Sequence, residues 1–177
     1  MRGSKSNIAS HRPDKLYFYA DRDSVERAFQ RGEFRLRPAA PLVPPQAPQA
    51  SQILPFGPSK SPTPAGFLTL SLSTALRPAT DAGWIIIHDT EEFGERLHRV
   101  VQQALPQWAG IDAAVAYGAV SPLGSVFSKA RHLSMQHEWL FAWRPMQAGL
   151  AINPIQIQIG SLAKLADLQE PQHAAPR

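Results

Sequence analysis

Between Pro38 and Gly66 the chain carries nine of its 17 prolines, set among Ala, Gln and Ser in runs such as PLVPPQAPQ and PSKSPTP. Proline lacks an amide hydrogen and has a fixed φ, so it is excluded from helix interiors and central strands. A stretch this rich in it favours extended polyproline II backbone and contributes little to a core. The fold must therefore be built from the residues on either side. The sequence predicts one domain over 15–168 with a disordered Pro-rich insertion at about 38–66, flanked by a flexible basic tail at 1–14 and a flexible tail at 169–177. A second use of the insertion is as a docking peptide for a proline-binding module.

The length of 177 residues suits a single domain, and 44% apolar residues with four Trp are enough for a core. No apolar run approaches the ~20 residues of a membrane span, and no apolar stretch follows the basic N-terminus as in a signal peptide. A soluble, cytoplasmic protein with no membrane partner is the expectation, and the absence of Cys fits a reducing compartment. The net charge of +4 arises entirely in the first 37 residues, where nine Lys or Arg face five Asp or Glu. Such a segment attracts phosphate-bearing partners, or serves as a solvated tail and helix face.

Periodicity outlines the elements. Lys15–Ala20 reads as a strand, and Asp21 or Asp23 caps a helix over 24–31 with Val25, Ala28 and Phe29 on one face, ended by Gly32. Glu33–Arg37 alternates with Phe34 and Leu36 inward and Arg35 and Arg37 outward. In FLTLSLST the leucines 68, 70 and 72 face one side and Thr69, Ser71 and Ser73 the other. WIIIH at 84–88 is a strand, and Asp89 with Glu92 forms a capping box for a helix whose apolar face is Phe93, Leu97, Val100, Val101, Ala104 and Leu105. Residues 111–120 and 138–144 read as strands, as does IQIQI at 155–159, with short helices over 129–135 and 161–168. The pattern predicts an α+β fold with a few short helices and mostly antiparallel mixed sheets. One core is expected from Phe34, Leu68, Leu70, Leu72, Ile86, Leu97, Val101, Leu140 and Ile157.

Six histidines without an HExxH pairing give no metal site, and no metal is expected. A P-loop, a GxGxxG fingerprint and a GxSxG elbow are all missing. What remains is the pair Gln136 and Glu138 in SMQHEWLFAW. Two apart on a strand, an amide and a carboxylate project to one side, where the carboxylate can stabilise an oxocarbenium-like centre and the amide can orient a substrate. Ser71 and Ser73, with Thr74 beside them, can hold the carboxylate strand or contact a ribose.

The opening segment KLYFYADRDSVERAFQRGEFRLRP, the central SLST, and FSKARHLSMQHEWLFAWRP followed by IQIQIGSL together resemble the ADP-ribosyltransferase superfamily, including its bacterial and phage members. The resemblance implies that fold, with NAD as the substrate and ADP-ribose passed to a macromolecule, a protein or a nucleic acid, in conflict between bacteria, phages or mobile elements. It makes Glu138 the catalytic carboxylate, Gln136 the orienting amide, and Ser71 and Ser73 the central-strand serines. Where many relatives carry His or Arg on the opening strand, this chain has Phe18, which has no donor. Tyr17, Tyr19 or Arg22 would then hold the cofactor. A different reading of the same fold is a non-catalytic module that engages a protein or nucleic acid through the basic N-terminal segment and the Pro-rich arm.

Overall fold

Leucine at every second position from 68 to 72 sets one face of a strand against a core, and the rest of the chain assembles around that strand. The computed structural model describes residues 11–39, 66–77, 83–147 and 149–170. The expectation for the Pro-rich insertion falls almost wholly outside these residues, as does that for most of the C-terminal tail. The elements in chain order are β1 (Leu16–Tyr19), α1 (Arg22–Arg31), β2 (Glu33–Pro38), β3 (Leu68–Ser73), β4 (Trp84–Ile87), α2 (Thr90–Ala104), β5 (Trp108–Ala114), β6 (Ala116–Tyr117), β7 (Ser128–Lys129), β8 (Glu138–Pro145), β9 (Ile155–Gln158) and β10 (Ala166–Gln169). The architecture is α+β with a mostly antiparallel sheet and few helices.

β3 lies at the centre. One of its edges pairs with β8 over its whole length, from Leu68↔Trp143 to Ser73↔Glu138. The other edge is shared, with β2 at Leu68 and Thr69 and β1 at Ser73. From β1 the sheet continues to β4 and β10; from β8 it continues to β5, and from β2 to β9. All pairings of this sheet are antiparallel, whereas β6 and β7 form a small parallel pair.

Both helices cover one face of the sheet. Asp21 caps α1 by accepting from the Ser24 amide at 3.0 Å, and Asp89 caps α2 by accepting from the Glu92 amide at 3.1 Å. The reciprocal half of the second box is absent, because the Asp89 amide donates to the Leu165 carbonyl and the Glu92 carboxylate pairs with Arg96. Gly32 ends α1 at φ 64°, where a side chain would run into the Gly160 carbonyl. Beneath the helices, edge-to-face aromatic contacts run Phe18–Phe34–Phe93–Phe141 with centroids 5.1, 5.6 and 5.9 Å apart, tying β1, β2, α2 and β8 together. On the other face a smaller cluster of Ala113, Val115, Phe127, Leu140 and Ala142 lies under the chain that carries β6 and β7.

Several expectations need correction. There are two apolar clusters, with Leu140 in the smaller, and in β4 it is Ile85 and Ile87 that enter the main core while Ile86 faces the other way. Ala104 is exposed because α2 runs out at that turn. The run 111–120 breaks into β5 and β6, since the Val115 amide turns to the Glu138 carbonyl. Residues 161–168 do not form a helix: Leu162 and Leu165 are buried in a turn, and Ala166–Gln169 extends as a strand along β4, where ladder bonds outweigh weak helical propensity. Lys129 belongs to β7, and the predicted short helix is a 3₁₀ segment, Arg131–Gln136.

Phe93 is fully buried at the middle of the aromatic series. Phe93→Ala is expected to destabilise the protein by ~3–5 kcal/mol, whereas Ile86→Ala on the opposite face should cost clearly less. Urea denaturation of the two variants checks this; equal losses would show that the helix-covered face does not dominate stability.

Candidate functional site

Alternation along β3 and β8 delivers polar side chains to the face away from the helices. Ser73 lies directly opposite Glu138, and Tyr17 of β1 lies directly opposite Ser73. The three form a row across β1, β3 and β8 spanning roughly 10 Å at ordinary strand spacing. Ser71, one pleat along, donates from its hydroxyl to Glu138 Oε1 at 2.7 Å. Ser73 is buried and turns its hydroxyl to the Ala75 carbonyl at 2.8 Å, so it shapes the end of the strand and does not hold the carboxylate. Thr74 binds the carboxylate strand, its amide and hydroxyl both donating to the His137 carbonyl, at 2.7 and 3.1 Å.

Glu138 is only 8% exposed, and a buried carboxylate must be compensated. Two residues that sequence reasoning missed supply most of that compensation. Lys129 Nζ donates to Oε1 and Oε2 at 2.8 and 2.6 Å. Tyr117 donates its hydroxyl to Oε2 at 3.0 Å, and the Tyr117 hydroxyl oxygen in turn accepts from the Glu138 amide at 3.0 Å. The two-residue parallel pair of β6 and β7 sets Tyr117 beside Lys129 and lowers both onto the start of β8. Neither has a signature in the sequence, because a lone Tyr and a lone Lys gain meaning only through that pairing.

Burial pushes the Glu138 carboxyl upward, but the hydrogen bonds from Lys129 and Ser71 and the Lys129 charge outweigh it and hold the group below its ordinary range. Burial and the neighbouring carboxylate push the Tyr117 phenol up to about 12. At neutral pH the site therefore contains an ionised carboxylate and a neutral phenol that donates to it.

The remaining predicted residues divide. Tyr17 and Tyr19 do lie on the Glu138 side of the sheet, with rings stacked at 6.4 Å, while Phe18 points into the core. Tyr19 is engaged by Arg77, whose amide donates to the Tyr19 hydroxyl at 2.8 Å and whose guanidinium lies 5.4 Å from the ring centroid. Gln136 is not paired with Glu138 as adjacent same-side strand positions would be. It ends the 3₁₀ segment, and His137 at φ 45° turns the backbone before β8 begins. What Gln136 contributes is its carbonyl, which accepts from Arg77 at 3.1 Å. Arg22 opens α1, which packs on the opposite face, where it borders a shallow hollow with Gly83, Leu168 and Gln169, so it is not part of this group.

A second polar cluster lies under α2. Arg12, placed by the sequence in the basic tail, forks onto Asp112 of β5 at 2.8–3.1 Å and reaches Glu91 at 2.7 Å. Its guanidinium crosses Gly94, where any Cβ would collide with it. His98 accepts from the Trp143 indole at Nδ1, 3.2 Å away, so its Nε2 proton faces Asp112 at 3.4 Å. Burial raises the Asp112 carboxyl, yet His98 and Arg12 hold it below its usual range. The polar atoms of Arg12, Asp112 and His98 are bonded within the cluster, which reads as an anchor for the segment that leads into β1. Among the described residues no group of three or more His, Cys, Asp or Glu could hold a metal ion.

No family model, curated protein or solved structure matches this chain.

A carboxyl held low in the fold stabilises it above the unfolded value near 4.5, and that contribution disappears as pH falls through the folded value. The stability advantage of the wild type over Glu138→Gln should therefore be full at pH 7 and shrink below about pH 4.5. Paired denaturation curves between pH 7 and 3 measure it; a constant difference would mean that the carboxylate charge is not what the site stabilises.

Proposed function

We propose that this chain is a divergent ADP-ribosyltransferase-like protein that binds NAD beside Glu138, cleaves the nicotinamide glycosidic bond and passes ADP-ribose to a macromolecule. The observation that supports this reading is the 2.7 Å bond from Ser71 to Glu138, a central-strand serine on the late-strand carboxylate. As nicotinamide leaves, positive charge develops at the anomeric carbon, and an ionised carboxylate in a water-poor site is suited to stabilise it. Ser71 is the exposed member of the group and marks where a ribose would approach. Tyr17 and Tyr19 offer hydroxyls and ring faces on the same side, and they take the place of the donor that Phe18 lacks. A role in conflict between bacteria, phages or mobile elements follows from the resemblance alone.

A second reading is favoured by Lys129. Its ammonium bonds both carboxylate oxygens, occupying positions that a ribose hydroxyl would need. In a catalytic protein Lys129 withdraws when substrate enters; in a non-catalytic binding module it stays, and the pair is structural.

Incubation with NAD labelled in its adenylate moiety, alone and with cell lysate, separates the two. Transfer of label by the wild type, reduced by about 10²-fold or more in Glu138→Gln, is the expected outcome, in line with the loss of one charge-stabilising group. NAD at 100 times its dissociation constant should also stabilise the fold by roughly 2.7 kcal/mol. Absence of both the label and a melting shift at millimolar NAD would overturn the enzyme reading and leave the non-catalytic module.

A further inference from the structure

The strand register that builds the carboxylate site also brings unpaired positive charge to the same face. Arg37 sits directly opposite Thr69, and Thr69 directly opposite Ala142, so Arg35, Arg37 and Arg144 all project from the Glu138 face of the sheet. All three are exposed. Among the described residues none of them has an ion-pair partner, and the carboxylates nearest to them by register are taken, Glu33 by Arg27 and Glu138 by Lys129, while the exposed Asp167 shares this face at its far edge on β10, in the row of Tyr17 and Ile86. Around β2 and the end of β8 the face is therefore electropositive even though the chain beyond residue 37 is charge-balanced.

The same face is divided. Over β5 and β8 it is covered by the chain carrying β6 and β7, while over β3, β2 and β1 Ser71, Arg35 and Arg37 remain open. At the far side of the open half Tyr17, Tyr19 and Trp84 form a row of rings with centroids 6.4 and 6.5 Å apart, the Arg77 guanidinium lying over Tyr19 and adding a cation to the row. Charges that can neutralise phosphates, hydroxyls, and then aromatic rings, arranged across an extended sheet surface, form the combination that holds single strands. An acidic protein would use the arginines but leave the aromatic row without a matching planar group, and a duplex keeps its bases stacked away from it.

We propose that this open half-face, from Arg35 and Arg37 across Ser71 to Tyr17 and Tyr19, binds a single-stranded nucleic acid and leads it past Glu138. Binding follows from the surface itself; that the bound strand is also the acceptor of ADP-ribose rests on the function proposed above. Arg144, at the other end of β8 from Glu138, extends the track along the covered ledge.

The test uses the full chain and fluorescein-labelled oligouridine and oligothymidine of about 20 nucleotides, long enough to span one such surface, read by anisotropy across a salt series. Binding with a strong salt dependence is expected. The variant Arg35→Gln/Arg37→Gln/Arg144→Gln should lose about 2 units of the log–log salt slope, since each single-strand phosphate contact contributes ~0.7. Its affinity at low salt should fall by roughly tenfold or more, with an unchanged melting temperature because the three side chains are exposed. Tyr17→Leu should weaken binding about fivefold or more with the slope preserved.

No binding, binding that survives the triple variant, or loss produced by Arg2→Gln/Lys5→Gln in its place would overturn the proposal. Equal affinity for a duplex or for polyglutamate would do the same, pointing to a general polyanion surface. Oligonucleotide binding without NAD labelling leaves this inference standing and removes the enzyme; labelling of lysate proteins with no oligonucleotide binding does the reverse.

Discussion

The antiparallel ladder between β3 and β8 is the constraint on which the remainder depends. Its six register pairs, Leu68↔Trp143 through Ser73↔Glu138, place leucines and aromatics on one face and hydroxyls with a carboxylate on the other. A slip of one residue would exchange the faces, drawing Glu138 into the aromatic core and pushing Phe141 to the polar side. Core and candidate site are thus two consequences of a single pairing. The shared opposite edge of β3 then fixes what flanks them, with β1 bringing tyrosines and β2 bringing arginines to the same side.

Each face also contains one buried carboxylate, and the two are satisfied differently. Asp112, under α2, is held by Arg12 and His98, with Trp143 completing the chain of bonds. That cluster ties the start of the chain to the helix and strand that follow much later, so its strength serves anchoring. Glu138 is held by a flexible Lys, a phenol and an exposed serine. Lysine carries its charge on a rotatable stem and can move away from a carboxylate more readily than a forked guanidinium can. The two carboxylates thus differ in partner chemistry more than in burial.

Several parts of this arrangement were legible beforehand because they depend on neighbours in sequence. The alternation of Leu68, Leu70 and Leu72, the N-caps at Asp21 and Asp89 and the left-handed stop at Gly32 all follow from local geometry. The closeness of Ser71 and Glu138 was suggested by the resemblance, although their contact requires β3 and β8 to pair in one register. The same-side expectation for Gln136 and Glu138 fails for a physical reason: it holds for positions two apart only within a strand, and the strand starts after the turn at His137. Residues 161–168 were misjudged because their apolar spacing suits a helix or a turn and strand equally well, and the free edge of β4 decided between them.

Sequence by itself determined the class of the fold, the apolar sides of β2 and β3 and of α1, and Glu138 as the carboxylate most worth attention, since periodicity and capping act over a few residues. Only the tertiary structure decided which groups surround that carboxylate. Lys129 and Tyr117 reach it from nine and 21 residues away through a two-residue strand pair, and Arg22 is carried to the opposite face by the side on which α1 packs. Those outcomes depend on long-range register and on the burial of charge, and neither quantity exists until the sheet has closed around its central strand.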